Sequence, residues 1–366
     1  MNRAYNDNRE YTDALDGLRF SDEAKARMVD NLLGAAAQQQ PEQRKTRKRA
    51  FRLPRIAAVG VAAALVVGIG AGATGVFKTA GEAFSGVFGP TADTEIIDQI
   101  GRPVGASDTS NGVTITADAI IGDKYHYAVT YSIVKDDGTP FDIDLSKTVG
   151  DGLLPLTFAE EDTTLSGYFG GTHGGSYFYD ADPSDPAIQY VETREVSDGD
   201  VQGRTIKAKF SDLCVFDEDM NRTVVAEGDW SFKFNLDFED TSVQLPAGQV
   251  IDLNGMKATI NEITLSPIAL LVDYTVDSEV QWDENAQSGQ MSDHDSAQIG
   301  KYIEDLQIVV NKADGTSLDL SNYAGGSLQR GEGKTVCQKG DMFSEIIPLE
   351  DVVSLTIGGV EIPVQQ

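Results

Sequence analysis

The chain has 366 residues and carries a formal net charge of −29 at pH 7. The charge is unevenly distributed: residues 1–43 carry −3, residues 44–55 carry +7, and the part after residue 77 carries −33. A body this acidic is expected to be soluble and to avoid nucleic acid and anionic surfaces, so we predict no direct contact with nucleic acid.

Residues 1–43 are predicted to form a helical arm. Ser21 is a candidate N-cap, and acidic residues follow it in the first turn, where the helix dipole favours them. Apolar residues then recur at helical spacing, with a short apolar set upstream, and the candidate partner-binding residues are Leu18, Phe20, Ala24, Met28, Val29, Leu32 and Leu33. The arm contains no His or Cys, which excludes a zinc module of the His/Cys type.

An arm of this length cannot bury a core of its own. One interpretation is an amphipathic segment that folds onto a partner protein. The other is a loosely ordered helical tail, because short helices are marginal in isolation. The sequence leaves both open.

Residues 56–77 are predicted to be a single transmembrane helix. The 22-residue stretch has no charged side chain and, as a helix, spans roughly 33 Å, enough for a hydrocarbon core of about 30 Å. Basic residues come directly before it and form the predicted membrane-anchor flank: Arg44, Lys45, Arg47, Lys48, Arg49, Arg52 and Arg55. The positive-inside rule then puts the N-terminus in the cytoplasm and the C-terminus outside the cell membrane.

Two alternatives fit residues 56–77 less well than a transmembrane helix does. A secretory signal peptide has a basic region near its first residue, whereas 55 residues precede this stretch. A buried core helix needs no cluster of flanking cations. The Gly68-x-x-x-Gly72 spacing would allow two helices to approach closely, but chance is the simpler explanation in so glycine-rich a segment.

Residues 78–91 are predicted to be a stalk, with a short helix from Ala80 to Phe88 that Gly89-Pro90 ends. Beyond it, two-residue alternation dominates. The buried faces are predicted to be those of Tyr125 to Ile133, Trp230 to Phe238 and Leu270 to Val276, each with a solvated opposite face. Further strands are predicted at Ile206, Ala208 and Phe210, and in a C-terminal hairpin around Gly358-Gly359.

An internal match at an offset of 143 residues indicates a repeat. Asn111-Gly112 aligns with Asn254-Gly255, and Val129-x-Tyr131 aligns with Val272-x-Tyr274. We therefore predict a mainly β protein with two tandem antiparallel immunoglobulin-like sandwiches, at residues 92–240 and 241–366, outside the membrane.

Few residues suggest chemistry. His126 is predicted to be an exposed strand residue, and His173 to lie in a flexible glycine loop. Aspartates near Asp217, Asp180 and Asp293 begin like calcium loops but lack the full ligand set. We predict no enzyme activity, no metal site and no cofactor. Cys214 and Cys337 are either bonded to each other, which the outer location allows, or two separate thiols.

Several segments together carry a family resemblance. They are residues 18–28 (LRFSDEAKARM), the basic stretch with its span, residues 83–88 (AFSGVF), residues 111–115 (NGVTI) and residues 263–267 (ITLSP). With these the chain resembles the membrane-anchored anti-sigma-factor-like proteins of Gram-positive bacteria that carry an uncharacterised extracellular immunoglobulin-like domain.

The resemblance implies that the arm binds an extracytoplasmic-function sigma factor. It also implies release by a membrane protease near the span. Because the arm lacks a His/Cys set, the binding mode of zinc-containing anti-sigma factors does not carry over. The alternative function is a cell-surface binding or adhesion module whose cytoplasmic arm has no partner.

Overall fold

A computed structural model describes residues 79–88, 94–143, 153–182, 184–197, 201–216, 221–283, 291–322 and 325–364. These residues are mainly β, and all their strand pairs are antiparallel. No helix within these ranges combines the length and apolar character that a membrane crossing needs. The predicted arm, basic flank and span lie outside the described residues.

Two short helices precede the first strand: α1 at Ala80–Phe84 and α2 at Thr94–Ile100. Thr79 caps α1 in a reciprocal capping box with Glu82. Eight strands follow, β1 to β8, at Arg102–Ser110, Val113–Gly122, His126–Lys135, Leu156–Leu165, Thr172–Tyr179, Ile188–Val196, Thr205–Phe216 and Arg222–Asn235. They form a five-stranded sheet in the order β1-β2-β3-β6-β5 and a three-stranded sheet in the order β4-β7-β8. Strands β1 to β8 are called the first repeat.

The second repeat contains ten strands, β9 to β18, at Val243–Gln244, Val250–Leu253, Met256–Leu265, Ala269–Val276, Ile308–Lys312, Ser317–Asp319, Gly325–Gly331, Lys334–Met342, Val352–Ile357 and Val360–Pro363. One sheet has the order β10-β11-β12-β16-β15, with β9 also pairing with β11, and the other has the order β14-β13-β17-β18. Helix α3 at Asp293–Ile299, a π-helix at Gly300–Glu304 and a 3-10 turn at Leu349–Asp351 complete it.

The 143-residue offset coincides with the same backbone features in both repeats. Asn111 and Asn254 both adopt positive φ, 49° and 55°, in the two-residue turn of the first hairpin. The pair Ile120–Val129 lies in the same register as Ile263–Val272. Each of these ladders also shifts register at the equivalent point, residue 118 in one and residue 261 in the other. Two copies of one strand-pairing pattern therefore follow each other along the chain.

Each repeat encloses its own apolar core between its two sheets. In the first repeat, Tyr131 of the five-stranded sheet packs on Phe210 of the three-stranded sheet, with ring centroids 5.5 Å apart. In the second repeat, Val272 and Tyr274 lie in one cluster with Ile308 and Leu355 of the other sheet. The two cores are separate clusters, and one residue of the second repeat, Leu271 on β12, packs into the core of the first.

The alternation predicted for β8 and the residues after it is confirmed. The side chains of Trp230, Phe232, Phe234, Leu236 and Phe238 are buried, and the residues between them are exposed. The predicted strand at Ile206, Ala208 and Phe210 is also present and buried. The C-terminal hairpin turns at Gly358 and Gly359, whose positive φ values, 52° and 80°, suit a two-residue turn.

The predicted solvated face of β3 is wrong, and so is that of β12. His126, Ala128 and Thr130 are buried opposite the tyrosines, and Ala269 and Leu271 are buried opposite Leu270 and Val272. Both strands lie inside their sheets, and further elements cover their second faces at one end. Alternation detects the side-chain period but not whether another layer covers the polar side.

A buried lysine on β16 joins that strand to the π-helix of the same repeat. The ammonium group of Lys339 on β16 donates hydrogen bonds to the carbonyl oxygens of Glu304, Leu306 and Ser321, at 3.0, 2.7 and 2.7 Å. Burial disfavours the charged form and lowers the pKa of Lys339 to about 8. The three carbonyls replace the water that the cation loses, and so fix the end of the π-helix and the residues after β14 against β16.

The two cysteines are free thiols, each buried in a different repeat. Burial raises the pKa of Cys214, and raises that of Cys337 to about 12, which keeps both thiols protonated and unreactive. We expect a maleimide reagent to label both cysteines once the protein is denatured without reductant, and neither within minutes in the native protein. Labelling that requires a reductant would show instead that the two are bonded.

Candidate functional site at the junction of the two repeats

The two repeats meet at their equivalent hairpin turns. Asp123 follows β2 and Ser266 follows β11, and the two positions are 143 residues apart. Both side chains are buried, and the Ser266 hydroxyl donates a hydrogen bond of 2.6 Å to the Asp123 carboxylate. Equivalent positions in contact are the mark of an isologous interface, here formed within one chain.

A cluster of charged side chains extends from this contact into the first repeat. The imidazole of His126 lies between two carboxylates: Nδ1 is 3.0 Å from Asp123 Oδ1, and Nε2 is 3.2 Å from Glu195 Oε2. His173 on β5 lies on the outer side of Glu195, with Nε2 3.3 Å from the same carboxylate oxygen. We call Asp123, His126, His173 and Glu195 the junction cluster.

The junction cluster holds its charges although three of its members are buried. Burial disfavours the His126 cation, but the adjacent Asp123 and Glu195 carboxylates outweigh it and raise the pKa of His126 to about 10. Burial likewise opposes ionisation of Glu195, yet hydrogen bonds from His126 and His173 lower its pKa to about 2. The pKa of Asp123 is lowered in spite of burial, because His126 and Ser266 stabilise its charged form. At neutral pH His126 is therefore a buried cation between two carboxylates.

The second repeat supplies its own polar groups to the junction. Glu262 on β11 accepts hydrogen bonds from Lys124 Nζ at 2.9 Å and from the Tyr125 hydroxyl at 3.2 Å. Gln338 on β16 donates 2.9 Å to the carbonyl oxygen of Ser197. The nearby Asp341 is buried enough that desolvation raises its pKa to about 6. Polar contacts thus connect the repeats on both sides of the Asp123–Ser266 pair.

Helices α1 and α2 lie against the same junction. They share an apolar cluster with residues of both repeats, and the cluster, called here the stalk cluster, consists of Ala80, Ala83, Phe84, Phe88, Ile97, Ile100, Ala119, Ile121, Ala128, Ile268, Ala269 and Ile346. Phe84 and Ile97 have no exposed surface. The small side chains of Ala119, Ala128 and Ala269 leave room for the helices to approach the strands closely. The described part of the predicted stalk is therefore packed into the body.

Gly101 shows how tight this packing is. A methyl group at this position would lie 2.8 Å from Ala80 Cβ and 2.9 and 3.0 Å from the carbonyl oxygens of Ile97 and Ile120. We expect Gly101→Ala to lower the free energy of unfolding by about 1–3 kcal/mol, because backbone rather than a flexible side chain has to move. Gly175→Ala is the matched control, since its methyl meets only Thr193 Oγ1 at 3.9 Å, and it should stay within about 0.5 kcal/mol of wild type. Equal effects of the two substitutions in urea unfolding would contradict this account.

The structure places the other sequence-predicted residues as follows. The partner-binding candidates between residues 18 and 33 and the basic flank at 44–55 lie outside the described residues. The prediction that His126 is exposed is wrong, because Asp123 and Glu195 enclose it. The glycine loop predicted around His173 is instead strand β5, which pairs with β6. Asp180, Asp182 and Asp185 each accept a backbone N–H two residues further on, as turn residues do.

Asp123, Glu195 and Ser266 were not predicted as site residues from the sequence. The 143-residue match contained a usable signal, because it aligns the turn after β2 with the turn after β11 and so pairs Asp123 with Ser266. Glu195 offered no comparable signal, since it comes beside His126 only through the pairing of β3 with β6. The junction cluster holds the His126 cation between two carboxylates and fixes the hairpin turns after β2 and β11. It places no nucleophile beside the imidazole of His126. It is suited to holding the repeats together.

Comparisons with known proteins give little further information. No protein-family model matches the chain, and no curated protein matches it. One solved structure, described as the crystal structure of the conserved domain protein from Bacillus anthracis, has a TM-score of 0.43 and 14% sequence identity, over 70% of this chain and 76% of that chain. A similarity at this level carries no argument about fold or function.

Proposed function

We propose that this chain is a single-pass membrane signalling regulator, an anti-sigma factor that sequesters an extracytoplasmic-function sigma factor through residues 1–43. The observation that carries the proposal is the order of segments: an amphipathic arm, seven basic residues, 22 uncharged residues and a large acidic β body. The arm is in the cytoplasm, the β repeats are outside the cell membrane, and each repeat is an immunoglobulin-like sandwich. The family resemblance given above supports the same assignment.

In this proposal the binding energy comes from the apolar residues that recur at helical spacing on the arm, called here the apolar stripe. A helix that presents Met28 and Leu32 on one face would dock in an apolar groove of the sigma factor that otherwise contacts polymerase. No cofactor takes part. A membrane protease is the proposed agent of release, since cutting the chain near the span would free the arm.

Capture of the full-length chain from its own membranes in mild detergent tests this function. We expect the wild-type chain to recover a sigma factor and the Met28→Asp/Leu32→Asp double variant to recover at least tenfold less, because two carboxylates would enter the apolar contact. Gln38→Asp/Gln39→Asp adds the same charge outside the stripe and should leave recovery unchanged. Equal recovery by both double variants, or no sigma factor with wild type, would contradict the proposal.

One observation favours the second candidate function, a surface binding or adhesion module. Phe169, in the connection between β4 and β5, is 98% exposed. In this proposal the exposed ring offers apolar surface to a binding partner. This function predicts that deletion of residues 1–43 leaves the activity of the protein intact, whereas the anti-sigma function predicts its complete loss.

A further inference from the structure

The helices that follow the predicted span are protected by packing that both repeats supply. Within the stalk cluster, Ile97 and Phe84 belong to the helices, Ala119 and Ile121 to the first repeat, and Ile268 to the second. The second-repeat cluster lies inside that repeat, and the first-repeat cluster contains one residue from outside it, Leu271 of β12. Among these three clusters of the described residues, the stalk cluster is the one that joins the helices to both repeats.

The helices themselves are too short to persist without this packing. Helix α1 has five residues and α2 has seven, whereas isolated helices below about 12–15 residues are marginal in water. The backbone N–H of Gly81 donates a 2.6 Å hydrogen bond to the side-chain carboxylate oxygen Asp98 Oδ1, so the two helices support one another. If one wall of the cluster is removed, exposed apolar surface and free helix ends remain, and both segments should unfold locally.

Most of each apolar core comes from a single repeat, with Leu271 of β12 as the exception in the first. The side-chain hydrogen bonds described above join the repeats at the junction: Ser266 with Asp123, Glu262 with Lys124 and Tyr125, and Gln338 with Ser197. Glu262 and Lys124 are each about one-third exposed, so their ion pair contributes at most about 1 kcal/mol. The Lys124–Glu262 pair therefore adds little to the contact between the repeats.

We propose that contact between the two repeats controls whether an endopeptidase can reach helices α1 and α2, called here the stalk helices. With the junction closed, residues 79–88 and 94–100 are packed and resist cleavage. With the junction open, they become an extended substrate, and hydrolysis adds one water across a peptide bond to leave a carboxylate and an amine. This inference rests on the proposed function in one respect, that such a cut releases the arm; the gating of the stalk does not itself require a sigma factor.

Hydrogen exchange of the full-length chain in lipid nanodiscs tests this control of access, called here the gate. The exchange rates to follow are those of the hydrogen-bonded amides of Ala83, Phe88 and Gly101. Ile268→Asp puts a carboxylate into the second-repeat wall of the stalk cluster. We expect it to speed exchange of those amides at least tenfold, with exchange in β13 and β17 unchanged. Thermolysin, which cuts before large apolar side chains, should then cleave at Phe84, Phe88 or Ile97 at least tenfold faster than in wild type.

Two further variants keep the result interpretable. Val353→Asp adds the same charge at a half-exposed site of the second repeat and should change neither readout. Glu262→Ala removes polar contacts without putting charge in a core, and should speed exchange of the stalk amides less than Ile268→Asp but in the same peptides.

The inference is overturned if the amides of the stalk helices exchange at the wild-type rate in both Ile268→Asp and Glu262→Ala. So does exchange that rises only together with β13 and β17, because the stalk would then open only when the repeat unfolds. Neither readout involves a sigma factor, so failure here with sigma-factor capture intact leaves the proposed function standing, and the converse result leaves the gate standing.

Discussion

Replacing Trp230 by alanine should lower the free energy of unfolding of the first repeat by about 3–5 kcal/mol, the usual cost of truncating a buried aromatic side chain. Trp230 is 1% exposed, and its indole N–H donates a 2.8 Å hydrogen bond to the carbonyl oxygen of Val113. That bond joins β8 to the start of β2, so it ties the two sheets of the first repeat together. The substitution removes the ring, leaves a cavity and frees a buried acceptor.

The second tryptophan of the chain provides a matched control. Trp282 is 37% exposed and lies in the second repeat, so Trp282→Ala should cost less than about 1 kcal/mol. Urea unfolding followed by far-UV circular dichroism measures both variants. A cost for Trp230→Ala no larger than that of Trp282→Ala would show that β8 does not bury its aromatic face.

Replacing His126 by leucine should destabilise the junction by about 3–5 kcal/mol at pH 6, because Asp123 would remain a buried carboxylate without its cation and Glu195 would keep only the half-exposed His173. His294→Ala is the control: this exposed histidine makes one hydrogen bond of 2.7 Å, to the carbonyl oxygen of Gln281, and its loss should cost at most about 1 kcal/mol. Adding Asp123→Asn to His126→Leu should restore part of the loss, and a double-mutant cycle measures that coupling.

The shifted pKa values of His126 and Glu195 predict how the stability of the protein depends on pH. The pKa of His126 is raised from 6.5 to about 10 in the folded state, so its contribution is fully present below pH 6.5 and is lost as the pH rises towards 10. The pKa of Glu195 is lowered from 4.5 to about 2, so its contribution is present above pH 4.5 and is lost as the pH falls towards 2. Both act fully between about pH 4.5 and 6.5. The stability difference between wild type and His126→Leu should therefore shrink between pH 6.5 and 10; a constant difference would contradict the burial of a charged His126.

Sequence patterns predicted the strands well because side-chain period is a local property. Trp230 and its alternate neighbours form a buried face with polar residues between them, and the NG turns at 111 and 254 form in both repeats. The 143-residue offset also identified strands that prove to be paired in the same register. None of these features depends on what covers the outer face of a sheet.

The junction could not be predicted from local patterns, because its side chains are brought together by residues that are distant in the chain. His126 and Ala128 look like the solvated side of an amphipathic strand, but Asp123 and Glu195 enclose His126, and Ala128 packs in the stalk cluster. Glu195 is 69 residues from His126 in the chain, and its role follows from pairing rather than from any motif. The alanines of the stalk cluster are equally uninformative, since a small side chain is compatible with water and with close helix packing.

The most direct test of the anti-sigma assignment is photo-crosslinking in living cells from a photoreactive residue at position 28, compared with one at position 38. Met28 lies on the apolar stripe and Gln38 lies in the polar tract after it. The account predicts that position 28 forms a covalent adduct with a sigma factor, identified by mass spectrometry, and that position 38 does so at least tenfold less. Adducts of equal yield at both positions, or adducts at position 28 that contain no sigma factor, would contradict it.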